Sequence, residues 1–367
     1  MPVKKKERRA NTLIFGVVLT LMIVGLISVS SASAVLSFNR FGYNNYYFFR
    51  QILFAALSLV FMYIFSKIDY RVFRKWARPI MLAGIIFLGL VLVPGIGTRA
   101  GSAQSWFSIG SFLLQPSEFV KLALIFYLAS WFERKKGAEQ NFWFGIIPPL
   151  LVIGLTSALI IVQPDIGGAA MMVLIAFVIF FAAGAKIKYL SGLFVAGLVG
   201  LWLLVKAAPY RAARIVTFLD PSLDPRGIGY HINQALLAIG SGGLWGYGYG
   251  DSRQKHNFLP ETIGDSIFAV MAEELGFVRI LIIITLFIVL IISGLRLANT
   301  APDKFGELAA IGIVGWIGAQ ALVNIGAISG LLPLTGVTLP FISYGGSSLL
   351  ALGIAVGILL NISKQRL

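Results

Sequence analysis

Apolar segments long enough to cross a lipid bilayer recur along almost the whole chain. A transmembrane helix needs about 20 predominantly apolar residues to cross a hydrocarbon core of about 30 Å. Ten segments of the 367-residue chain meet this need, at residues 13–36, 48–66, 79–97, 112–132, 143–162, 167–185, 189–205, 266–295, 307–329 and 340–362. The pattern predicts an all-α polytopic membrane protein with about ten transmembrane helices.

The composition agrees with lipid, rather than water, as the solvent for most of the surface. Hydrophobic residues make up 58% of the chain and charged residues 12%, whereas soluble domains carry about 25% charged residues. No soluble domain separates the spans, so we expect residues 1–367 to form a single integral membrane domain. The chain has no cysteine, which excludes disulfide bonds and thiolate nucleophiles.

The formal net charge of +15 is interpreted through topology, and no nucleic-acid partner is expected. Ten spans place both termini on one side of the membrane, and 19 of the 30 Lys and Arg residues then fall on that side. The short loops on the other side hold only Arg40, Arg50 and Arg99. Basic residues accumulate in cytoplasmic loops of membrane proteins, so both termini are expected in the cytoplasm.

One long segment, residues 206–263, separates the seventh and eighth spans and is expected on the extracytoplasmic side. It contains Arg211 and Arg214, an apolar stretch, and a glycine-rich run from Gly240 to Gly250. Loops of more than about 15 residues are usually functional or disordered. The apolar and aromatic content of this one predicts partial order at the membrane surface.

Polar residues stand at four junctions between spans on the extracytoplasmic side. They are Glu118 and Lys121 at the start of the fourth span, Asp165 before the sixth, Glu261 and Asp265 before the eighth, and Ser343 and Ser347 between the ninth and tenth. An ionisable group in or beside a membrane span is costly and is by default a functional hypothesis. These residues are therefore candidates for a site.

Structural explanations remain open for several of them. Glu118 and Lys121 are three residues apart, so they share a helix face and form a neutralised pair in the simplest interpretation. Asp165 is placed to cap the N-terminus of the sixth span, and Asp265 that of the eighth. The eighth apolar run is too long for a simple crossing, so we expect its first turns at the membrane interface.

Two glutamates are expected to need no catalytic role, and two histidines are expected to be loop residues. Glu273 and Glu274 follow in the first turns of the eighth span, where the interface would accommodate them. His231 and His256 are expected in the long loop, and two histidines so far apart meet no metal-ligand spacing. Whether the protein binds a metal stays open from the sequence alone.

Several motifs together resemble one family. Residues 324–348 read NIGAISGLLPLTGVTLPFISYGGSS and are very similar to the signature of the SEDS family (shape, elongation, division and sporulation), which includes FtsW, RodA and SpoVE. QPSE at 115–118, QPD at 163–165, and FLPE at 258–261 followed by Asp265 and AEELGF resemble the other family motifs in the same order. The resemblance covers nearly the whole chain.

Smaller features indicate which branch of the family the chain resembles more and where it departs from the family pattern. Residues 211–221 and the pair Gln254–Lys255 are more similar to the FtsW branch than to RodA. Two positions depart from the family pattern: Ser105 stands before Trp106 where a basic residue is usual, and Asp265 is flanked by Gly264 and Ser266. A role for the missing basic residue therefore does not carry over.

The resemblance implies an activity and a location. SEDS proteins are peptidoglycan glycosyltransferases of the bacterial inner membrane that polymerise lipid II, during growth or division. They work with a class B penicillin-binding protein and with other membrane proteins of the divisome or elongasome. Asp265 matches the essential aspartate of the family and is expected to be the general base. With an ordinary pKa near 4 it would be ionised at neutral pH.

The leaving group implied by the resemblance, undecaprenyl pyrophosphate, requires compensating positive charge. This charge would come from side chains or from a divalent cation, Mg²⁺ or Mn²⁺, held by carboxylates. The candidate side chains are Arg211, Arg214, Lys255 and Lys121. Glu118, Asp165, Glu261, Ser343 and Ser347 complete the expected substrate-binding set, and no organic cofactor is expected.

Two other functions fit a chain of this kind. A flippase could move lipid II across the membrane, and a scaffold could hold a cell-wall synthase in place. A flippase needs polar groups that are reachable from both faces, whereas this chain concentrates its motifs at the extracytoplasmic junctions. A scaffold would not explain the acidic and basic residues there. The sequence therefore favours the enzyme.

Overall fold

The computed structural model describes residues 2–100, 103–110, 112–135, 137–206, 216–220, 223–224 and 227–365. The helices in this part of the chain are α1 (Pro2–Phe41), α2 (Tyr46–Phe65), α3 (Arg71–Val91), α4 (Pro116–Arg134), α5 (Ile147–Val162), α6 (Ile166–Ala183), α7 (Ile187–Lys206), α8 (Ile228–Ser241), α9 (Ile267–Ala298), α10 (Lys304–Ile328) and α11 (Gly346–Lys364). A small sheet consists of β1 (Gly97–Ala100), β2 (Ala103–Ile109) and β3 (Phe112–Leu114).

Ten of these helices, all except α8, coincide with the ten predicted spans. Among the described residues, seven helices are long and apolar enough to cross a membrane: α1, α2, α5 with the π-helical turn before it, α6, α9, α10 and α11. The helices α3 and α4 carry more charged residues, and α7 is apolar over Ile187–Gly200. The prediction of an all-α polytopic membrane protein is confirmed.

Neighbouring helices are held together by close packing of small residues. Helices α2 and α11 run parallel, and a Cβ atom on Gly353 would collide with Ser58. One turn later, a Cβ atom on Gly357 would stand 2.5 Å from the carbonyl oxygen of Met62. Small residues allow backbones to approach in membranes, where packing rather than the hydrophobic effect drives helix association.

Polar contacts fasten the end of the bundle that holds the end of α11, which we call the terminal end. The buried amide of Asn361 donates to the Ser66 carbonyl at 3.1 Å and accepts from the Tyr70 backbone N–H at 3.0 Å. The Arg74 guanidinium binds Glu133 at 2.9 Å, which joins α3 to α4. The opposite end of the bundle, which we call the distal end, contains the junctions with polar motifs.

The three-stranded antiparallel sheet connects α3 to α4 at the distal end. Phe107 in the central strand pairs with Gly97 on one side and with Leu114 on the other. This sheet was not predicted, because its strands lie partly within the apolar segments 79–97 and 112–132. It directs the chain into the start of α4.

Helix α9 is interrupted at Gly276, whose φ of 76° and ψ of 172° are not helical. The segment 243–248 pairs with the break, because the Phe277 N–H donates to the Gly243 carbonyl at 2.9 Å and the Tyr247 N–H donates to the Glu273 carbonyl at 3.0 Å. The break divides the apolar run that is too long for a simple crossing, and the placement of its first turns at the membrane interface stays a prediction. Part of the long loop is thus ordered against α9.

Candidate active site

The segment that joins α10 to α11, residues 329–345, is called the central loop. It is bound to the turn that leads into α9. The Ser343 hydroxyl donates to the Gly264 carbonyl at 2.7 Å, and the Tyr344 backbone N–H donates to the Ile263 carbonyl at 2.8 Å. Ser343 is buried. Two signature motifs far apart in the sequence therefore meet at the distal end.

Asp265 lies half-buried in this turn, one residue before the N-cap position of α9. The carbonyl of Glu261 accepts from the N–H groups of Gly264 at 3.0 Å and Ser266 at 3.2 Å. Glu261 itself is exposed and has a φ of 50°, which is uncommon for a residue other than glycine. The capping alternative for Asp265 is not observed, because Ser266 occupies the N-cap position.

A histidine supports the same turn from α8. The Nε2 atom of His231 lies 2.6 Å from the hydroxyl oxygen of Ser266, which is fully buried. The expectation that His231 is a loop residue was wrong, because it belongs to Ile228–Ser241, a helix formed within the long segment. His256 does lie in a loop.

The expected pair of Glu118 and Lys121 is present at the start of α4. The Lys121 ammonium donates to Glu118 Oε1 at 2.8 Å, and its side chain is 3% exposed. The same ammonium donates to Gln320 Oε1 at 3.2 Å and lies 5.0 Å from the ring centroid of Trp316. The prediction of a neutralised pair on one helix face is confirmed, and α10 completes its surroundings.

Asp165 caps α6, as predicted, by accepting from the Gly168 N–H at 2.7 Å. Its other oxygen lies 3.4 Å from the amide nitrogen of Gln115. Although Asp165 retains some exposed surface, desolvation by burial raises the pKa of its carboxyl group, and the hydrogen bond from Gly168 opposes this shift. Its neighbour Gly167 packs against the carbonyl of Thr335 in the central loop.

Ser347 connects the sheet to α11. Its hydroxyl accepts from the Gln115 N–H at 2.9 Å and donates to the Leu113 carbonyl at 3.2 Å. Leu113 belongs to β3, and Gln115 directly precedes α4. Ser347 therefore fixes the position at which the QPSE motif enters the bundle.

Lys255 is placed apart from these residues, beside α1. Its ammonium donates to Glu274 at 2.9 Å, to the Ser31 hydroxyl at 2.9 Å and to the Gly250 carbonyl at 2.5 Å. All three N–H donors of the ammonium therefore have acceptors, and the side chain is 5% exposed. It forms part of the wall of a cavity of about 600 Å³ between α1 and the long segment.

Glu273 and Glu274 are buried inside the protein. The Glu273 carboxylate accepts from the Ser252 hydroxyl and from the N–H groups of Arg253 at 2.9 Å and Gln254 at 3.3 Å. It thereby fixes the segment before FLPE onto α9. The expectation that neither glutamate needs a catalytic role is compatible with these structural contacts.

Two predicted cation residues, Arg211 and Arg214, lie outside the described residues, so their roles stay predictions. The central loop contacts the turn of Asp265 and the start of α6 beside Asp165, whereas Lys255 lies apart from it, beside α1. The central loop also reaches Lys121 indirectly, because Gln320 donates to the Thr338 carbonyl at 3.0 Å.

Two buried amides on α10 were not among the predicted site residues. Gln320 contacts Lys121, and Asn324 donates to the Asp265 carbonyl at 2.9 Å and to the Val337 carbonyl at 2.7 Å. They stand four residues apart in the apolar part of the helix that follows Glu307. This spacing places polar groups on one helix face and was the signal that could have found them.

The fold and the site define a polytopic helical membrane protein that gathers charged and polar groups at one end of its helix bundle. The family model described as "Cell cycle protein", which combines FtsW, RodA and SpoVE, matches residues 11–367. The chain belongs to this family. The family predicted from the motifs is therefore confirmed.

Relatives and solved structures match this chain over nearly its full length. The chain is 43% identical over 359 residues to stage V sporulation protein E of Bacillus subtilis (strain 168), and the match covers 98% of both. It is 40% identical to a probable peptidoglycan glycosyltransferase FtsW of Geobacter sp. (strain M18), with 96% of each covered. These names also agree with the predicted resemblance to the FtsW branch.

Two solved structures share the fold. One is a chain from a peptidoglycan synthase complex that coordinates polymerisation and crosslinking, with a TM-score of 0.80, 29% identity, and coverage of 96% of this chain and 97% of that chain. The other is the rod shape determining protein RodA of Thermus thermophilus, with a TM-score of 0.71, 29% identity and 96% of each chain covered.

Proposed function

We propose that this protein is a peptidoglycan glycosyltransferase that polymerises lipid II into glycan strands during cell division or growth. The observation that carries the proposal is that the turn of Asp265 is bound from three sides. It is contacted by Ser343 of the central loop and by Asn324 of α10. His231 of α8 contacts it at Ser266. Catalytic groups need this kind of support from rigid elements. Relatives named probable peptidoglycan glycosyltransferase FtsW support the substrate class.

In the proposed reaction, Asp265 acts as the general base. It takes the proton from the attacking sugar hydroxyl while that oxygen forms a bond to the anomeric carbon of the second sugar. The bond between this carbon and the diphosphate breaks, and undecaprenyl pyrophosphate leaves with the electron pair. A half-buried aspartate at the distal end suits this role, because it retains exposed surface while the Asn324 amide holds its backbone carbonyl.

The departing diphosphate requires positive charge near the same turn. Lys255 has no N–H donor left for it, and Lys121 is paired with Glu118. Arg211 and Arg214 are therefore the side chains that we propose for this role. They belong to the long segment that enters α8 and the Asp265 turn.

We propose a divalent cation, Mg²⁺ or Mn²⁺, as a second source of charge. Among the residues that the structure describes, no three His, Cys, Asp or Glu side chains cluster to form a complete metal site. Mg²⁺ is commonly bound by one or two carboxylates together with substrate phosphates, so the exposed Glu261 and the diphosphate would suffice to hold it. The cation would neutralise charge on the leaving group.

The proposed orientation places the terminal end in the cytoplasm and the distal end outside the inner membrane. Basic residues of the terminal end, such as Arg71, Arg74 and Lys364, support it, because such residues are retained on the cytoplasmic side. The undecaprenyl-linked substrate would then reach Asp265 from the outer leaflet.

The proposed partner is a class B penicillin-binding protein, which would cross-link the strands, together with other membrane proteins of the divisome or elongasome. The similarity to a chain of a peptidoglycan synthase complex supports this assignment. The direct test of the activity is to supply the purified protein, its partner and Mg²⁺ with labelled lipid II. Glycan polymer is the expected product, and unchanged lipid II at every partner and cation concentration would contradict the proposal.

A further inference from the structure

Helix α10 presents two buried amide side chains to the central loop. Gln320 and Asn324 are one helical turn apart, and they are 0% and 1% exposed. Polar residues are costly within a membrane span and need a partner for each polar group. Both amides donate to backbone carbonyls of the central loop, at Thr338 and Val337.

Asn324 joins the central loop to the turn of the proposed base. Its amide nitrogen lies 2.7 Å from the Val337 carbonyl and 2.9 Å from the Asp265 carbonyl. Because both neighbours are acceptors, the amide nitrogen must face them, and both of its hydrogens are used. The main chain of Asp265 is thus held at a fixed distance from α10.

Gln320 extends this connection to the buried ion pair. Its Oε1 accepts from the Lys121 ammonium at 3.2 Å and from the Trp316 indole at 2.7 Å, while its nitrogen donates to Thr338. Gln320 therefore contacts the ion pair, and Asn324, one helical turn later in α10, contacts Asp265. An α-helix resists bending over one turn, so the two polar groups keep a fixed spacing.

We propose that Asn324 is a positioning residue that fixes Asp265 relative to the Glu118–Lys121 pair, with Gln320 holding the other end. This inference rests on the proposed function, because it assumes that the position of Asp265 limits the reaction. Misplacement of a catalytic group by about 1 Å can lower turnover about 100-fold.

The amide of Asn324 combines two donated hydrogen bonds with one buried acceptor. Its Oδ1 is buried and has no hydrogen-bond partner among the residues that the structure describes. A buried acceptor without a partner costs about 1–3 kcal/mol. An apolar residue would avoid this cost, but it would leave the carbonyls of Asp265 and Val337 without this donor, so what the amide supplies here is the link between the two segments.

The test compares two asparagines with the same chemistry at opposite ends of the bundle. Asn324→Leu removes both donors, and Asn361→Leu removes an equally buried amide that binds Ser66 and Tyr70 at the terminal end. We expect Asn324→Leu to lower kcat for lipid II polymerisation about 100-fold with little change in KM. Asn361→Leu should retain kcat per folded molecule, even if its Tm falls.

Asn324→Gln keeps the amide donors and should restore part of the kcat lost in Asn324→Leu. It also serves as the informative variant if the leucine variant does not fold. Loss of Tm without loss of kcat in Asn324→Leu, or a gain in KM alone, would overturn the positioning role. So would a kcat of Asn324→Gln no higher than that of a folded Asn324→Leu.

A separate readout distinguishes this inference from the proposed function. Hydrogen exchange at residues 263–266 and 335–339 should accelerate in Asn324→Leu and stay unchanged in Asn361→Leu. If the wild-type protein makes no polymer, the proposed function fails, and the exchange data still decide whether Asn324 holds the two segments together. Unchanged exchange at both segments would contradict that contact.

Discussion

The backbone of Phe341 in the central loop lies directly against Gly25 in the middle of α1. A Cβ atom on Gly25 would stand 2.5 Å from the Phe341 carbonyl oxygen and 2.7 Å from the Ile342 Cα atom. Phe341 is buried and has a φ of 64°, a left-handed conformation that is strained for an aromatic residue. The absence of a side chain at Gly25 therefore lets the central loop enter the bundle.

Substitution Gly25→Ala should destabilise the protein by about 1–3 kcal/mol, because the new methyl group overlaps backbone atoms that cannot move independently. Gly16→Ala in the same helix is the matched control, since nothing lies within 4 Å of a Cβ atom there. This control should be neutral or more stable by about 0.5–1 kcal/mol. Thermal unfolding in detergent measures both, and equal Tm values for the two variants would contradict the close approach.

Breaking the buried ion pair of Lys255 and Glu274 should lower the free energy of unfolding more than breaking an exposed pair does. Lys255→Met leaves the Glu274 carboxylate buried without its cation, which should cost about 3–5 kcal/mol. Lys304→Met breaks a pair at 3.0 Å whose lysine side chain is 43% exposed, and it should cost about 1 kcal/mol or less. Unfolding free energies that do not differ between these variants would show that Lys255 is not buried.

The raised pKa of Asp165 predicts a pH-dependent stability. The folded state binds this proton more tightly than the unfolded state, so the contribution is fully present below the ordinary pKa of about 4 and is lost as pH rises through the folded value. The unfolding free energy of wild type minus that of Asp165→Asn should therefore fall as pH rises above about 4. A difference that increases with pH would mean that the Gly168 hydrogen bond lowers the pKa instead.

The transport alternative makes a different prediction for the pair at the start of α4. If the protein moves lipid II, translocation in vesicles should survive Asp265→Asn and disappear with Glu118→Gln or Lys121→Met. If the protein is a polymerase, no translocation of lipid II should depend on the pair of Glu118 and Lys121. Lys121→Met should then act through stability, because the substitution leaves Glu118 buried without its cation. Vesicle assays with labelled lipid II distinguish the two accounts.

Much of the fold could be predicted because its signals are local. Ten helices follow from the lengths of apolar segments, and the pair of Glu118 and Lys121 follows from a spacing of three residues on a helix. The cap of Asp165 on α6 is also local. The sheet β1–β3 was hidden because Gly97 and β3 extend two apolar segments, so length alone assigned these residues to spans, and β2 lies in the connection between the two segments.

The missing parts of the site depend on contacts between distant segments. Lys255 is a plausible ligand for a diphosphate in the sequence, yet Ser31 on α1 and Glu274 on α9 determine its surroundings. The amide of Asn324 finds its two acceptors only in the folded chain, where residues 337 and 265 both lie beside it. Neither arrangement can be inferred from periodicity or spacing.

Polymerisation of labelled lipid II by Asp265→Asn tests the central claim most directly. Asp69→Asn, at an exposed aspartate of the terminal end, is the matched control. With partner and Mg²⁺ present, wild type and Asp69→Asn should make glycan polymer, and Asp265→Asn should make none while its Tm stays close to that of wild type. Full polymerisation by a folded Asp265→Asn variant would contradict the assignment of Asp265 as the base.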